Sequence, residues 1–307
     1  MAGAIPFATT VNVSADAVEA REQPPISWRG PGDGRPDLQL PPDRQPLFHR
    51  GQLRKRWRYV GFYGDEVMLC AGIATIGIFT HSFWSVWDRG ANDGKGRHIE
   101  HTRLRPGGPE VVLDGPRVEI RTSEVRAALH FGSSEPIEVV NSSGRAWGWT
   151  RKRAGVPVKG VVEIGDRHFD VEGFGVDDES AGFHARHTAW FWSAGIGTAA
   201  DGRALGWNLV DGINDPEVNS ERAIWVDGVP YEPAPVRFDG LEAVMFSGKG
   251  EGEGLRFTDG KAERRRHDNF GLIRSDYVHR FGTFEGSLDG IELASGAGVM
   301  EEHDVTW

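Results

Sequence analysis

The stretch from Asp177 to Trp192 holds the residues of this chain best suited to chemistry. It reads Asp-Asp-Glu-Ser-Ala-Gly-Phe-His-Ala-Arg-His-Thr-Ala-Trp-Phe-Trp. Carboxyls this close raise one another's pKa, which keeps one of them protonated for delivery to an alkene or epoxide. Asp178 or Glu179 is the expected proton donor, with His184 adjusting its proton state. Side chains two apart share one face of a strand, so Arg186, Thr188, Trp190 and Trp192 should point together. The indoles would then lower the local dielectric and stabilise a developing cation through their faces. Arg186, in such a confined place, would need a carboxylate partner from Asp178, Glu179 or Glu302. Trp149 (paired with Trp147 at the same spacing), Trp84 and Asn208 complete the expected lining, Asn208 as an amide able to hold a ligand carbonyl or water. The plainer reading makes the strand tryptophans core residues and Asp177–Ser180 a solvated turn.

Other polar clusters carry weaker signals. Asn208, Asp211, Asn214, Asp215, Asn219 and Glu221 are oxygen-rich but lack the rhythm of a calcium loop, and such residues dominate turns for local reasons. Glu301-Glu302-His303-Asp304, with His267 and His279 upstream, shows no local ligand spacing for zinc or iron. Glu302 is equally suited to an ion pair with Arg280 or Arg186 inside a barrel. Gly173-Phe174-Gly175 and Gly195-Ile196-Gly197 are not followed by helical patterns, so neither supports a dinucleotide site. No metal and no cofactor is expected.

These residues must be positioned by sheets. Glycine, at 42 of 307 residues, is about twice its usual share, and Asp-Gly punctuates the second half at 201, 227, 239, 259 and 289. Short apolar runs between such turns are the pattern of barrels and sandwiches. Hairpins are expected around Asp114-Gly115 and Gly165-Asp166, and helical periodicity is scarce, with short turns near 141–155 and 211–222 as exceptions. Residues 21–46 hold seven prolines and read as an extended or wrapping arm.

A net charge of −10 argues against binding a nucleic-acid backbone. Cys70 is the single cysteine, which rules out an intramolecular disulfide and suits a small buried apolar residue. No apolar run approaches membrane-spanning length, so stable membrane insertion is not expected. The first twenty residues contain no lysine or arginine, and cytoplasmic residence is the expectation.

Gly51–Val60, Ser82–Arg89, Asp177–Trp192 and Gly296–His303 together resemble a bacterial domain-of-unknown-function family, DUF2804, over roughly residues 46–307. That family is similar, more distantly, to carotenoid 1,2-hydratase, tocopherol cyclase and related tandem lipocalin-like proteins. The resemblance implies an all-β fold of two consecutive antiparallel lipocalin-like (calycin) barrels with a ligand pocket in or between them. Gly173–Gly182 occupies the place of the hydratases' central acidic segment, with a different pattern. The expected organisation is an arm at 1–46, a first barrel at 47–165 and a second at 166–307. The expected function is a hydratase, cyclase or isomerase acting by acid–base chemistry on a hydrophobic terpenoid, lipid or polyketide-like molecule. The alternative is a non-catalytic intracellular carrier of such a ligand, and a homo-oligomer is compatible with either.

Overall fold

The computed structural model describes residues 26–31, 34–104, 110–143, 145–250, 253–270 and 273–307. Two large antiparallel sheets account for most of them. The first runs, strand beside strand, through Arg97–Leu104, Phe79–Asp88, Val67–Ile76, Lys55–Tyr63, Arg167–Gly182, Ala146–Ile164, Val125–Phe131, Arg117–Arg121 and Val111–Asp114. Ala146–Ile164 is long enough to pair along one edge with both Val125–Phe131 and Ile137–Ser143, and Ser27–Gly30 adds to the latter. The second runs Val229–Tyr231, Ala223–Val226, Ala204–Asp211, His187–Ala199, Ile291–Thr306, Ile273–Leu288, Gly254–Phe270, Ala243–Phe246 and Val236–Asp239. Each sheet curls until its far strands approach, giving two lipocalin-like half-barrels.

Period-two alternation sorts the apolar residues into three layers. On Lys55–Tyr63, Val60 and Phe62 face the first core, with Leu69, Val86, Ile120, Phe131 and Val158. Trp207, Leu209, Val244, Phe284 and Met300 fill the second core. The opposite faces of both sheets meet in a third layer, where Tyr59, Tyr63, Met68 and Cys70 pack on Trp192, Ala194, Phe281 and Val299. Burying each such large side chain contributes roughly 1.5–3 kcal/mol, so the layer between the sheets is a core in its own right. Cys70 belongs to it, with burial pushing its thiol up to about 12. The sheets approach closely at Gly206, where an added Cβ would lie 2.8 Å from Cβ of Ala154. Trp225 Nε1 donates across the boundary to the Glu135 carbonyl at 2.7 Å.

The expected boundary at 165 does not coincide with the change of sheet. Arg167–Gly182 completes the first sheet, beside Lys55–Tyr63, and His187 opens the second. The Gly165-Asp166 hairpin joins two strands that are both far longer than the runs of strong β-formers, because Arg151, Arg153, Asp177 and Glu179 pair within the sheet. For the same reason 141–155, read as including a short turn, is strand at 141–143 and 146–155. Of the proline-rich arm, residues 26–31 and 34–46 lie along the first sheet. Leu40 is fully buried against Trp147, Trp149 and Phe183, and Arg35 pairs with Glu138 at 2.8 Å. The remainder of the expected arm, residues 1–25 and 32–33, lies outside the described residues. No helix among the described residues is long and apolar enough to cross a membrane.

Candidate functional site

Strand register builds two polar rows that face each other between the sheets. Residues directly opposite in antiparallel strands share a face. In the first sheet this aligns Lys152, Asp178, Tyr59, Gly72, Phe83 and Thr102. In the second it aligns Arg264, His279, Glu301 and Trp192, with Arg266, Tyr277, His303 and Trp190 one step along. Tyr59 OH meets His279 Nε2 at 3.2 Å, and its ring stands edge-on to Trp192 at 5.2 Å. Arg264 donates to Thr102 Oγ1 at 2.5 Å and lies over the Phe83 and Tyr277 rings. Gly72 makes room for Phe83, whose Cζ would be 2.2 Å from an added Cβ.

Glu301 is the titratable centre of this arrangement. Its Oε2 accepts from Tyr277 OH at 2.8 Å and its Oε1 from Trp190 Nε1 at 3.0 Å. Burial pushes its pKa up to about 7, and the charge of Asp178 acts in the same direction against those two hydrogen bonds. Burial also takes His279 down to about 3, with Arg264 adding to the effect, and His303 down to about 3. Both rings are therefore neutral at pH 7 and can each donate one hydrogen bond and accept another. Glu301 stands near half protonation there, which suits a group that gives and takes a proton in one cycle.

A buried ion cluster adjoins the row. Lys152 Nζ lies 2.6 Å from Asp178 Oδ2 and 3.3 Å from Glu221 Oε1. Desolvation raises both carboxyls, and Lys152 opposes that rise. The two carboxylates hold Lys152 above its usual range despite its burial. Asn214 Nδ2 donates to Glu221 Oε2 at 3.0 Å. Asn208 accepts from Trp192 Nε1 at 2.8 Å and donates to the Glu221 carbonyl at 2.8 Å, fixing the indole.

The expected site residues divide among several places. Asp178, Trp190, Trp192 and Asn208 face the space between the sheets. His184 is fully buried beside it, its ring 5.1 Å from Trp57, and burial with Lys55 and Lys152 lowers its pKa to about 3. Glu179 faces the first barrel, paired with Arg151 at 2.9 Å and Arg58 at 3.7 Å. Trp84 belongs to the first core. Trp149 points, with Trp147, at the arm, and its Nε1 donates to Glu138 at 2.6 Å. The paired tryptophans at 147–149 and 190–192 thus do share faces within each pair, but the pairs do not share a cavity.

The expected buried ion pair of Arg186 is not formed. Arg186 is exposed and lies one residue before the strand, so strand alternation does not govern it. Its carbonyl accepts from the Trp307 amide at 2.8 Å. Arg186→Met is accordingly expected to change stability by less than about 0.5 kcal/mol in urea unfolding, the usual scale for an exposed position. Glu302 is likewise exposed, and Arg280 pairs instead with Glu263 and Glu242. His267 pairs with Asp276 at the surface.

Glu301, Tyr277, Tyr59, Lys152 and Arg264 were not singled out by sequence reasoning as site residues. Ahead of the Glu301–Asp304 string, Val299 and Met300 are both apolar and hide which parity faces inward. Two surface concavities, of about 320 Å³ beside Trp87 and about 640 Å³ beside Ile78, are not lined by Glu301, Asp178 or Tyr59. Half-buried Trp57, Phe83, Trp190, Tyr277 and His303 rim the row instead.

Two curled antiparallel sheets back to back, with a polar row between them, define a tandem lipocalin-like protein. The chain belongs to the family described as a domain of unknown function, DUF2804, which matches residues 93–307. No curated protein matches the sequence. Among solved structures it is similar to kievitone hydratase of Nectria haematococca, at 10% identity and a TM-score of 0.50 over 81% of this chain and 88% of that one. A protein of Nitrosomonas europaea assigned as AttH aligns at 13% identity and a TM-score of 0.47, over 86% and 97% of the two chains. CghA aligns at 13% identity and a TM-score of 0.36, over 82% and 88%. At these identities the likeness is one of fold.

Proposed function

We propose that the chain is an acid–base enzyme that hydrates, cyclises or isomerises an apolar small molecule between its two sheets. The observation that carries this is Glu301, a buried carboxyl with a pKa of about 7, held by Tyr277 and Trp190 among aromatic rings. The protonated carboxyl delivers its proton to an unsaturated carbon. The rings of Trp190, Trp192 and Tyr59 face the positive charge that develops, and Asp178, held by Lys152, supplies a fixed negative charge nearby. In a hydration, water adds to the cation and its proton returns to the Glu301 carboxylate. In a cyclisation or isomerisation, a proton lost from carbon returns there instead. Glu179 takes no part because it faces the interior of the first barrel, where Arg151 and Arg58 hold it.

A carrier of apolar ligands needs few polar groups in its lining, whereas Glu301, His279, Tyr59 and Asp178 converge here. The hydratase name of the kievitone hydratase structure agrees with the proposed reaction class. The test is native mass spectrometry of freshly purified protein with extraction of any retained ligand, followed by incubation of that ligand with wild type and Glu301→Gln. Gain of one water, or an isomer of unchanged mass, formed by wild type and not by the variant supports the reading. A retained ligand returned unchanged by wild type assigns the protein to carriage instead.

A further inference from the structure

The strand that carries Tyr59 into the site begins at an unusual corner of the surface. Eight large apolar side chains are exposed among the described residues, and five of them, Phe48, Leu53, Ile78, Phe79 and Leu104, gather there. Ile78 and Phe79, in and just past the turn after Val67–Ile76, are 75% and 73% exposed. Phe48 pairs with Leu53 in a short hairpin, and a Cβ on Gly77 would touch Leu53 at 3.0 Å, so hairpin and turn are adjacent. Leu104 pairs with His81, two residues past Phe79. Scattered exposed apolar residues need no explanation, but a contiguous patch does.

The same corner is basic. A concavity of about 640 Å³ is lined by Arg44, Pro46, Leu47, Arg54, Thr75 and Ile78. Arg56 pairs with Thr75 and is exposed beside it. Arg50 tips the hairpin and donates to the Arg145 carbonyl, while Arg54 donates to the Gln45 carbonyl. None of Arg44, Arg50, Arg54 and Arg56 forms an ion pair among the described residues. Asp43, next to Arg44, is the exposed carboxylate of the segment. Four arginines without carboxylate partners are a local inversion in a chain of net charge −10.

We infer that this corner docks on an anionic lipid bilayer, with Ile78 and Phe79 entering the headgroup–acyl boundary and the arginines meeting lipid phosphates. Protruding apolar side chains set among cations are the combination that binds charged bilayers, since burial and charge attraction add. The direction of Lys55–Tyr63 gives the docking a use. Lys55, at the corner, donates to the His184 carbonyl at 2.9 Å and lies over Trp307. Trp57 follows against His184, and Tyr59 against His279. An apolar molecule leaving the bilayer would meet that row of rings before reaching Glu301. The docking itself needs no catalytic step, so it stands or falls apart from the proposed reaction.

The test is flotation of the full chain with phosphatidylcholine vesicles, with and without phosphatidylglycerol, at low and high salt. Wild type should float with the anionic vesicles, less at high salt, and not with phosphatidylcholine alone. Ile78→Ser/Phe79→Ser should lower the bound fraction about tenfold, and Arg44→Gln/Arg56→Gln should weaken both the binding and its salt dependence. All four side chains are exposed, so circular dichroism should be unchanged in both variants. Failure of wild type to float with anionic vesicles, or equal flotation of wild type and both variants, would overturn the inference. So would a wild-type dimer dissociated by Ile78→Ser/Phe79→Ser, which would assign the face to a second copy of the chain.

Discussion

Glu301→Gln should lower turnover by about 10²–10⁴-fold, the usual contribution of a positioned acid or base, while leaving the fold intact. The amide oxygen can still accept from one of the two donors that hold the carboxylate. Wild-type activity that depends on the protonated form should fall as pH rises through about 7. Stability carries the same signature. A carboxyl raised from 4.5 to about 7 by folding stabilises fully below 4.5, and that contribution is lost as pH rises through 7. Its span is about 3 kcal/mol, at roughly 1.4 kcal/mol per pH unit. Urea unfolding of Glu301→Gln should lack this decline. The buried histidines act oppositely, since His184, His279 and His303 fall from 6.5 to about 3 on folding. Their contribution is complete above 6.5 and is lost as pH falls toward 3, in wild type and variant alike.

Lys152→Met should destabilise the protein by about 3–5 kcal/mol, the scale for breaking a buried ion pair from one side. The methionine fills most of the volume but leaves Asp178 and Glu221 facing each other without their shared cation. Adding Asp178→Asn and Glu221→Gln to Lys152→Met should recover a large part of the loss, because no buried charge is then stranded. Equilibrium urea unfolding at pH 7 reads both effects. A loss below about 1 kcal/mol for Lys152→Met alone would mean that water or another cation reaches the carboxylates.

Much of the architecture was legible because it is written in local chemistry. Asp-Gly turns and alternating apolar residues mark strands, and Trp190 and Trp192 share a face as spacing alone requires. What failed was everything set by register and by strand ends. Arg186 has the right parity but lies before His187, where the chain is not yet extended. Trp149 shares the face of Arg151, opposite to that of Lys152, and is covered there by Leu40 and the arm. Glu179 and Asp178 are neighbours that a strand must send to opposite faces, Glu179 into the first barrel and Asp178 between the sheets. Glu301 became a site residue only through the pairing of Ile291–Thr306 with two other strands, which brings Tyr277 and Trp190 to its oxygens. No periodicity in one segment encodes such a meeting.

The proposed chemistry requires Glu301 to hold its proton part of the time at neutral pH, and its carboxyl can be titrated directly. In protein labelled with ¹³C at the glutamate carboxyl, the resonance missing from Glu301→Gln identifies the group. A titration midpoint near 7 is the predicted result. A midpoint near the ordinary 4.5 would show a solvated carboxylate at neutral pH, and a proton-transferring site between the sheets would be contradicted.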